Sequence, residues 1–157
     1  MLVGAISDSH GNSKRILEAL PYFEGVEHIL HAGDFCEDAG LVREAVDCQV
    51  TAVAGNCDYM VRAPFEELLV LNGKRVYLTH GHLYNVKGDL SALAERARDL
   101  EVDVAVFGHT HTPQVFYQDD ILFVNPGSLH RPRLGYQPSI ALIDLSGQRP
   151  TARIVFL

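Results

Sequence analysis

The sequence predicts an α/β fold in which two β-sheets pack face to face with helices outside. Three observations carry that expectation. The first third of the chain alternates short apolar runs with helical patterns in the order β-α-β-α-β. The remainder is dominated by strand patterns around one further helix. Polar residues collect at the carboxyl ends of the apolar runs, where open α/β sheets place their ligands. The β-α-β-α-β order implies parallel strands joined by right-handed crossovers, and two sheets sharing a buried interface account for the rest.

Each element has a local reason. The opening LVGAIS is an apolar run that reads as a buried strand ending at Asp8. Ser13 suits a helix N-cap, with Ile16, Leu17 and Leu20 following at helical spacing. His28 to Ala32 is a second strand that runs into Gly33 and Asp34; Asp38 to Val46 suits a helix, and Val50 to Ala54 a third strand ending at Gly55 and Asn56. Glu66 to Leu71 and Lys74 to Thr79 flank Asn72-Gly73, a strong hairpin signal because both turn residues tolerate positive φ. That hairpin ends at His80. Asp89 to Leu100 is patterned as a helix, and Val102 to Phe107 as a buried strand terminating at Gly108 and His109. Gln114 to Tyr117, Ile121 to Val124, Ser139 to Leu145 and Ala152 to Phe156 read as antiparallel strands. Phe65, Phe107, Phe116, Phe123 and Phe156 are expected in the core.

With 157 residues and 47% hydrophobic content, the chain is long enough for one substantial core, so residues 1–157 are expected to form a single domain. No apolar run approaches the roughly 18 residues of a membrane span, and MLVGAISDSH lacks the basic region and cleavage site of a signal peptide. A soluble, cytoplasmic chain without a membrane partner is expected. The three cysteines show no CxxC spacing, which argues against a disulfide framework and a thiolate zinc site; Cys36 and Cys48 read as buried reduced thiols. A formal net charge of −7 disfavours a broad nucleic-acid footprint. Small acidic substrates remain compatible, because a bound cation is usually the largest local charge in its site. The oligomeric state is left open, a homo-oligomer included.

The chemistry lies in seven residues at predicted strand ends: Asp8, His10, Asp34, Asn56, His80, His109 and His111. Oxygen and imidazole donors suit divalent transition metals, and seven are enough for two ions. Spread over the chain as they are, they form no local metal finger; a fold must converge them. Each lies beside small residues, as in Asp8-Ser9-His10-Gly11 and Gly108-His109-Thr110-His111, where glycine lets the backbone turn sharply.

In the order DxH, GD, GN, H and GHxH, these pieces resemble the signature of the calcineurin-like metallophosphoesterase superfamily over Asp8 to His111. The short length, the Cys after Gly-Asn and Asn125-Pro126-Gly127-Ser128 are similar to its small prokaryotic phosphodiesterase branch. That resemblance implies a four-layer αββα sandwich of two mixed β-sheets flanked by helices. It assigns Asp8, His10 and His111 to one metal, Asn56, His80 and His109 to the other, and Asp34 to a bridge between them. It implies a metal-dependent phosphodiesterase in which a bimetal-activated hydroxide attacks a small phosphodiester substrate, with Mn²⁺ expected and Ni²⁺, Fe, Co²⁺ or Zn²⁺ compatible. A phosphomonoesterase, a nucleotide pyrophosphatase, and a non-catalytic interaction scaffold like the retromer subunit of similar fold are the alternatives. A DNA nuclease is disfavoured by the lack of a capping domain and of a basic strip.

Cys57 departs from the pattern, since many members carry His after Gly-Asn to protonate the leaving oxygen or hold the phosphate. Activated leaving groups are therefore expected to be cleaved better than alkyl ones unless His82 or water supplies the proton. Cys57 and His82 are the candidate catalytic residues beside the metals; Asn125, Ser128 and Arg131 are candidate substrate contacts. His28, His31 and His130 read as structural.

Overall fold

The computed structural model describes residues 1–157. Its elements are, in order, β1 (Leu2–Ile6), α1 (Ser13–Ala19), β2 (His28–His31), α2 (Ala39–Ala45), β3 (Gln49–Ala52), β4 (Glu66–Leu71), β5 (Lys74–Thr79), α3 (Ser91–Asp99), β6 (Val104–Val106), β7 (Gln114–Gln118), β8 (Ile121–Asn125), β9 (Ser139–Asp144) and β10 (Thr151–Phe156). Two five-stranded sheets result, ordered β10-β9-β1-β2-β3 and β4-β5-β6-β8-β7. Both are mixed: β1, β2 and β3 run parallel while β9 and β10 are antiparallel, and β5, β6 and β8 run parallel between antiparallel β4 and β7.

Side-chain alternation makes the layers. In β1, Val3 and Ala5 face the second sheet, where they join Leu30, Val76, Leu78, Val106, Leu122 and Val124. Leu2 and Ile6 face the other way, against Ile16, Ala19 and Val42 of α1 and α2. On the far side, Tyr77, Ala105 and Phe123 turn outward onto Leu93, Ala94 and Ala97 of α3. Four layers follow, helices outside and sheets inside, each buried aliphatic side chain contributing about 1.5–3 kcal/mol. No helix is long and apolar enough to cross a membrane.

The hairpin forms as expected, with φ of 50° at Asn72 and 76° at Gly73. Several boundaries differ. Asn12, not Ser13, caps α1, its side chain accepting from the Arg15 N–H at 3.1 Å. Helix α2 starts at Ala39 after a short 3-10 turn over Cys36–Asp38, because the Asp38 carboxylate is committed to Ser9 and to the Gly11 N–H. The late strands are antiparallel in pairs, but β7–β8 joins the second sheet, with β8 parallel to β6, and β9–β10 the first. Phe107 and Phe123 are core residues and Phe116 stacks on Phe123 at 5.2 Å, whereas Phe65 and Phe156 are 51% and 50% exposed, Phe65 preceding β4 and Phe156 closing the edge strand β10. Cys36 is buried, Cys48 half-buried, and all three thiols are free.

Leu122→Ala, which opens a cavity between the sheets, is expected to cost about 2–5 kcal/mol in urea unfolding. Phe156→Ala should cost less than about 1 kcal/mol, being half exposed. Equal losses would mean that β10 covers more core than its exposure indicates.

Candidate metal centre

The strands deliver their polar ends to one edge of the sandwich, and the backbone there is bent. Asp8, His10, Asp34, His109 and His111 have φ of 52°, 48°, 56°, 66° and 56°. Left-handed backbone costs a non-glycine residue about 1–2 kcal/mol, so these turns persist only because their surroundings hold them. The Asp8 N–H donates to the Gly33 carbonyl at 3.0 Å, and Gly108 N–H to that of His80 at 3.1 Å. Two glycines make the approach possible: a Cβ on Gly55 would lie 2.2 Å from Asp34 Oδ1, and one on Gly108 2.0 Å from Ser7 Oγ.

Donor atoms of Asp8, His10, Asp34 and His111 all lie within 4.8 Å of one another. His111 Nε2 is 3.0 Å from Asp8 Oδ1, and its Nδ1 donates to the Arg131 carbonyl. His80 Nε2 reaches both carboxylates, 3.3 Å from Asp8 Oδ1 and 3.5 Å from Asp34 Oδ1. His109 packs its ring 4.9 Å from that of His80 while its N–H donates to Asp8 Oδ2 at 3.2 Å. Ser7 Oγ donates to the same oxygen at 2.6 Å. His10 Nε2, 3.8 Å from Asp34 Oδ2, is buried without a hydrogen-bond partner.

Two buried carboxylates facing each other, with an imidazole nitrogen left unpaired beside them, form an arrangement that a cation completes and that is costly without one. The proton affinities agree. Burial alone would raise the Asp8 carboxyl, but hydrogen bonds from His111 and His80 outweigh it and hold it below the usual carboxylate range. Burial lowers His10 against the pull of Asp34; burial and then His80 push His109 down to about 4. Both shifts favour the neutral ring, the form that metal ligation requires. His111 is raised by its hydrogen bond to Asp8.

The GN segment closes on Asp34, with Cys57 N–H donating to Asp34 Oδ1 at 2.9 Å. Asn56 is exposed there, its amide nitrogen 3.5 Å from Cys57 Sγ. Burial and the Asp34 carboxylate push the Cys57 thiol up to about 11. His82 lines the centre: its Nδ1 is 3.1 Å from His80 Nδ1, one of the two nitrogens carrying the hydrogen, and its ring is 6.2 Å from that of His109.

Asn125 and Ser128 meet a different arrangement from the substrate contacts expected of them. Both are fully buried. Asn125 Nδ2 donates to the Gly108 carbonyl at 2.9 Å and Ser128 Oγ to the Asp8 carbonyl at 2.9 Å, so they brace the ligand turns. Arg131 is exposed, and its charge bears on His10. His31 and His28 are structural: His31 Nδ1 accepts from Gly33 N–H, its Nε2 donates to Ser9 Oγ at 3.0 Å, and Ser9 donates on to Asp38 at 2.6 Å, while His28 bonds Thr51. His130 lies at the surface beside Asn12. Two cations passed over in the sequence, Lys87 and Arg133, line the wall beside His109 and His111. Neither sits in a motif, and only the folded loops bring them there.

Against known proteins, the model of the calcineurin-like phosphoesterase superfamily domain matches residues 1–148. A probable metallophosphoesterase of Methanothermobacter thermautotrophicus is 36% identical over 160 residues, covering 99% of this chain and 92% of that one. The phosphodiesterase YfcE of Escherichia coli K12 is 36% identical over 105 residues, 61% of this chain and 53% of its own. Among solved structures, a predicted phosphoesterase from Streptococcus pneumoniae TIGR4 superposes with a TM-score of 0.85 at 26% identity, over 99% of this chain and 88% of that one. Vps29 complexed with Zn²⁺ from Entamoeba histolytica superposes with a TM-score of 0.77 at 26% identity, over 99% of both chains.

Because Ser7 orients Asp8 without entering the donor cluster, Ser7→Ala should weaken Mn²⁺ binding about 10–100-fold in calorimetric titration of metal-stripped protein. An unchanged affinity would mean that the His109 N–H alone holds the carboxylate.

Proposed function

This chain belongs to the calcineurin-like phosphoesterase superfamily, and from that premise we propose that it is a phosphodiesterase working with two divalent cations, Mn²⁺ in the first place. The observation that carries the proposal is the convergence of Asp8, His10, Asp34 and His111 within 4.8 Å around an unpartnered, buried His10 Nε2. When bound, divalent cations supply Lewis-acid charge to phosphoryl oxygens and bring the pKa of water toward neutrality.

The chain's own residues do the rest. Asp34 turns one oxygen toward His10 and the other toward His80, which supports its role as the shared ligand. Asp8, His10 and His111 would hold one cation; His80 and His109, with Asn56 on the GN turn, would hold the other. His82 fixes the His80 ring through its Nδ1 and thereby aims Nε2 into the carboxylates. Diester preference is supported by the similarity to YfcE and by two exposed rings at the flanks, Phe35 at 5.7 Å from His10 and Phe65 at 5.8 Å from His82, which offer apolar surface to an ester arm. Three free thiols suit a reducing, cytoplasmic setting.

A scaffold role draws support from one feature. Edge strand β4 exposes Leu68 and Val70, the latter at 68%, beyond the centre, and the fold is shared with Vps29. Such a surface can coexist with catalysis.

Metal-stripped protein titrated with Mn²⁺ is expected to hydrolyse bis(p-nitrophenyl) phosphate faster than p-nitrophenyl phosphate, and His109→Ala should lower the rate by more than about 100-fold. Absence of turnover with Mn²⁺, Ni²⁺, Co²⁺ and Zn²⁺ would favour the scaffold. With Cys57 in place of an imidazole donor, aryl esters should outpace matched alkyl esters by at least about 100-fold. Comparable aryl and alkyl rates in Cys57→Ala would remove Cys57 from the reaction.

A further inference from the structure

Beyond His109 and His111 the centre opens into a groove that the ligand signature leaves without a role. Lys87, Thr110 and Arg133 join the two histidines around a space of about 240 Å³. The same three residues line an adjoining space of about 310 Å³ that runs on to Thr112 and Gln114. The two spaces share Lys87, Thr110 and Arg133 in their walls and are taken together as the groove.

Two of the chain's cations line this groove. Its net charge is −7, and six of its thirteen lysines and arginines pair with carboxylates: Lys14 and Arg15 with Glu18, Lys74 with Asp103, Arg96 with Glu66, Arg98 with Asp119, Arg149 with Asp120. Lys87 and Arg133 are exposed and have no carboxylate partner. Their backbones are nevertheless tied to the ligand turns. Arg133 N–H donates to the His111 carbonyl at 3.0 Å, and Lys87 follows Val86, which is buried against Gly81 so closely that a Cβ there would meet it at 2.9 Å. The Lys87 ammonium bears on both His109 and His111. Asp89, the acidic residue of the groove, accepts from the Ser91 N–H at 2.8 Å.

Two unpaired cations of different shape, an ammonium and a forked guanidinium, with the Gln114 amide further along, match a tetrahedral dianion. We infer that this groove takes a second, non-scissile phosphate of the substrate. The substrates are then phosphodiesters with a further phosphate on one arm, not diesters with two neutral arms. This rests on the reading of the centre as a phosphodiesterase and names its substrate class.

The test compares two esters with one leaving group: thymidine 5′-(p-nitrophenyl phosphate), whose arm is neutral, and its 3′-phosphorylated counterpart. Mn²⁺-loaded protein should favour the phosphorylated ester by at least about 10-fold in kcat/KM, mainly through KM. Lys87→Gln/Arg133→Gln should bring the ratio near one, and Lys87→Arg should retain most of it. In calorimetry, thymidine 3′,5′-bisphosphate should bind the same protein at least about 10-fold tighter than thymidine 5′-monophosphate, and the double variant should lose that margin. Both side chains are exposed, so an unchanged thermal melt will accompany the variant. If neither ester is cleaved but the binding margin depends on Lys87 and Arg133, the groove stands and the phosphodiesterase reading falls. Equal cleavage of both esters together with equal binding of both nucleotides overturns the groove and leaves that reading intact. No binding of either nucleotide also overturns it.

Discussion

Two carboxylates that ought to repel each other organise this molecule. Asp8 and Asp34 leave adjacent parallel strands, β1 and β2, and both are buried, with His80 Nε2 3.3 Å from one and 3.5 Å from the other. Burying like charges at such range is unfavourable unless cationic or hydrogen-bonding groups offset it. The surrounding structure does so with directed donors: Ser7 Oγ and His109 N–H on Asp8, Cys57 N–H on Asp34. A divalent cation would meet the remaining demand, and the unpaired His10 nitrogen is placed to bind one.

That arrangement depends on two sheets being held in one relation. Asp8, Asp34 and Asn56 follow β1, β2 and β3 of the first sheet; His80 and His109 follow β5 and β6 of the second. The apolar layer between them, Val3, Leu30, Leu78, Val106 and Val124 among others, sets the separation on which ångström-scale ligation rests. Parallel strands matter for the same reason, because they bring successive carboxyl ends to the same edge.

The edge is tense. Five of the candidate ligands occupy left-handed backbone, which the Ser9–Asp38–Gly11 hydrogen bonds and the buried Asn125 and Ser128 brace from behind. Such bracing residues lie in loops and look, in a linear reading, like contacts for a substrate. Their burial shows why they matter instead to the shape of the turns.

Local chemistry alone made much of this visible. Apolar runs ending in Asp, Asn or His, the Asn72-Gly73 turn and the α3 pattern are properties of neighbouring residues, so the strands, the hairpin and the family signature could be read directly from the order of side chains. Pairings across the chain could not. Which sheet receives β7–β8 and which β9–β10, that Asp38 bonds Ser9 instead of capping a helix, that Phe65 and Phe156 stay half exposed, and that Lys87 and Arg133 line the wall beside His109 and His111 all depend on contacts between distant segments. Sequence periodicity records which face of an element is apolar; only packing decides what that face, and every polar group left at its end, will meet.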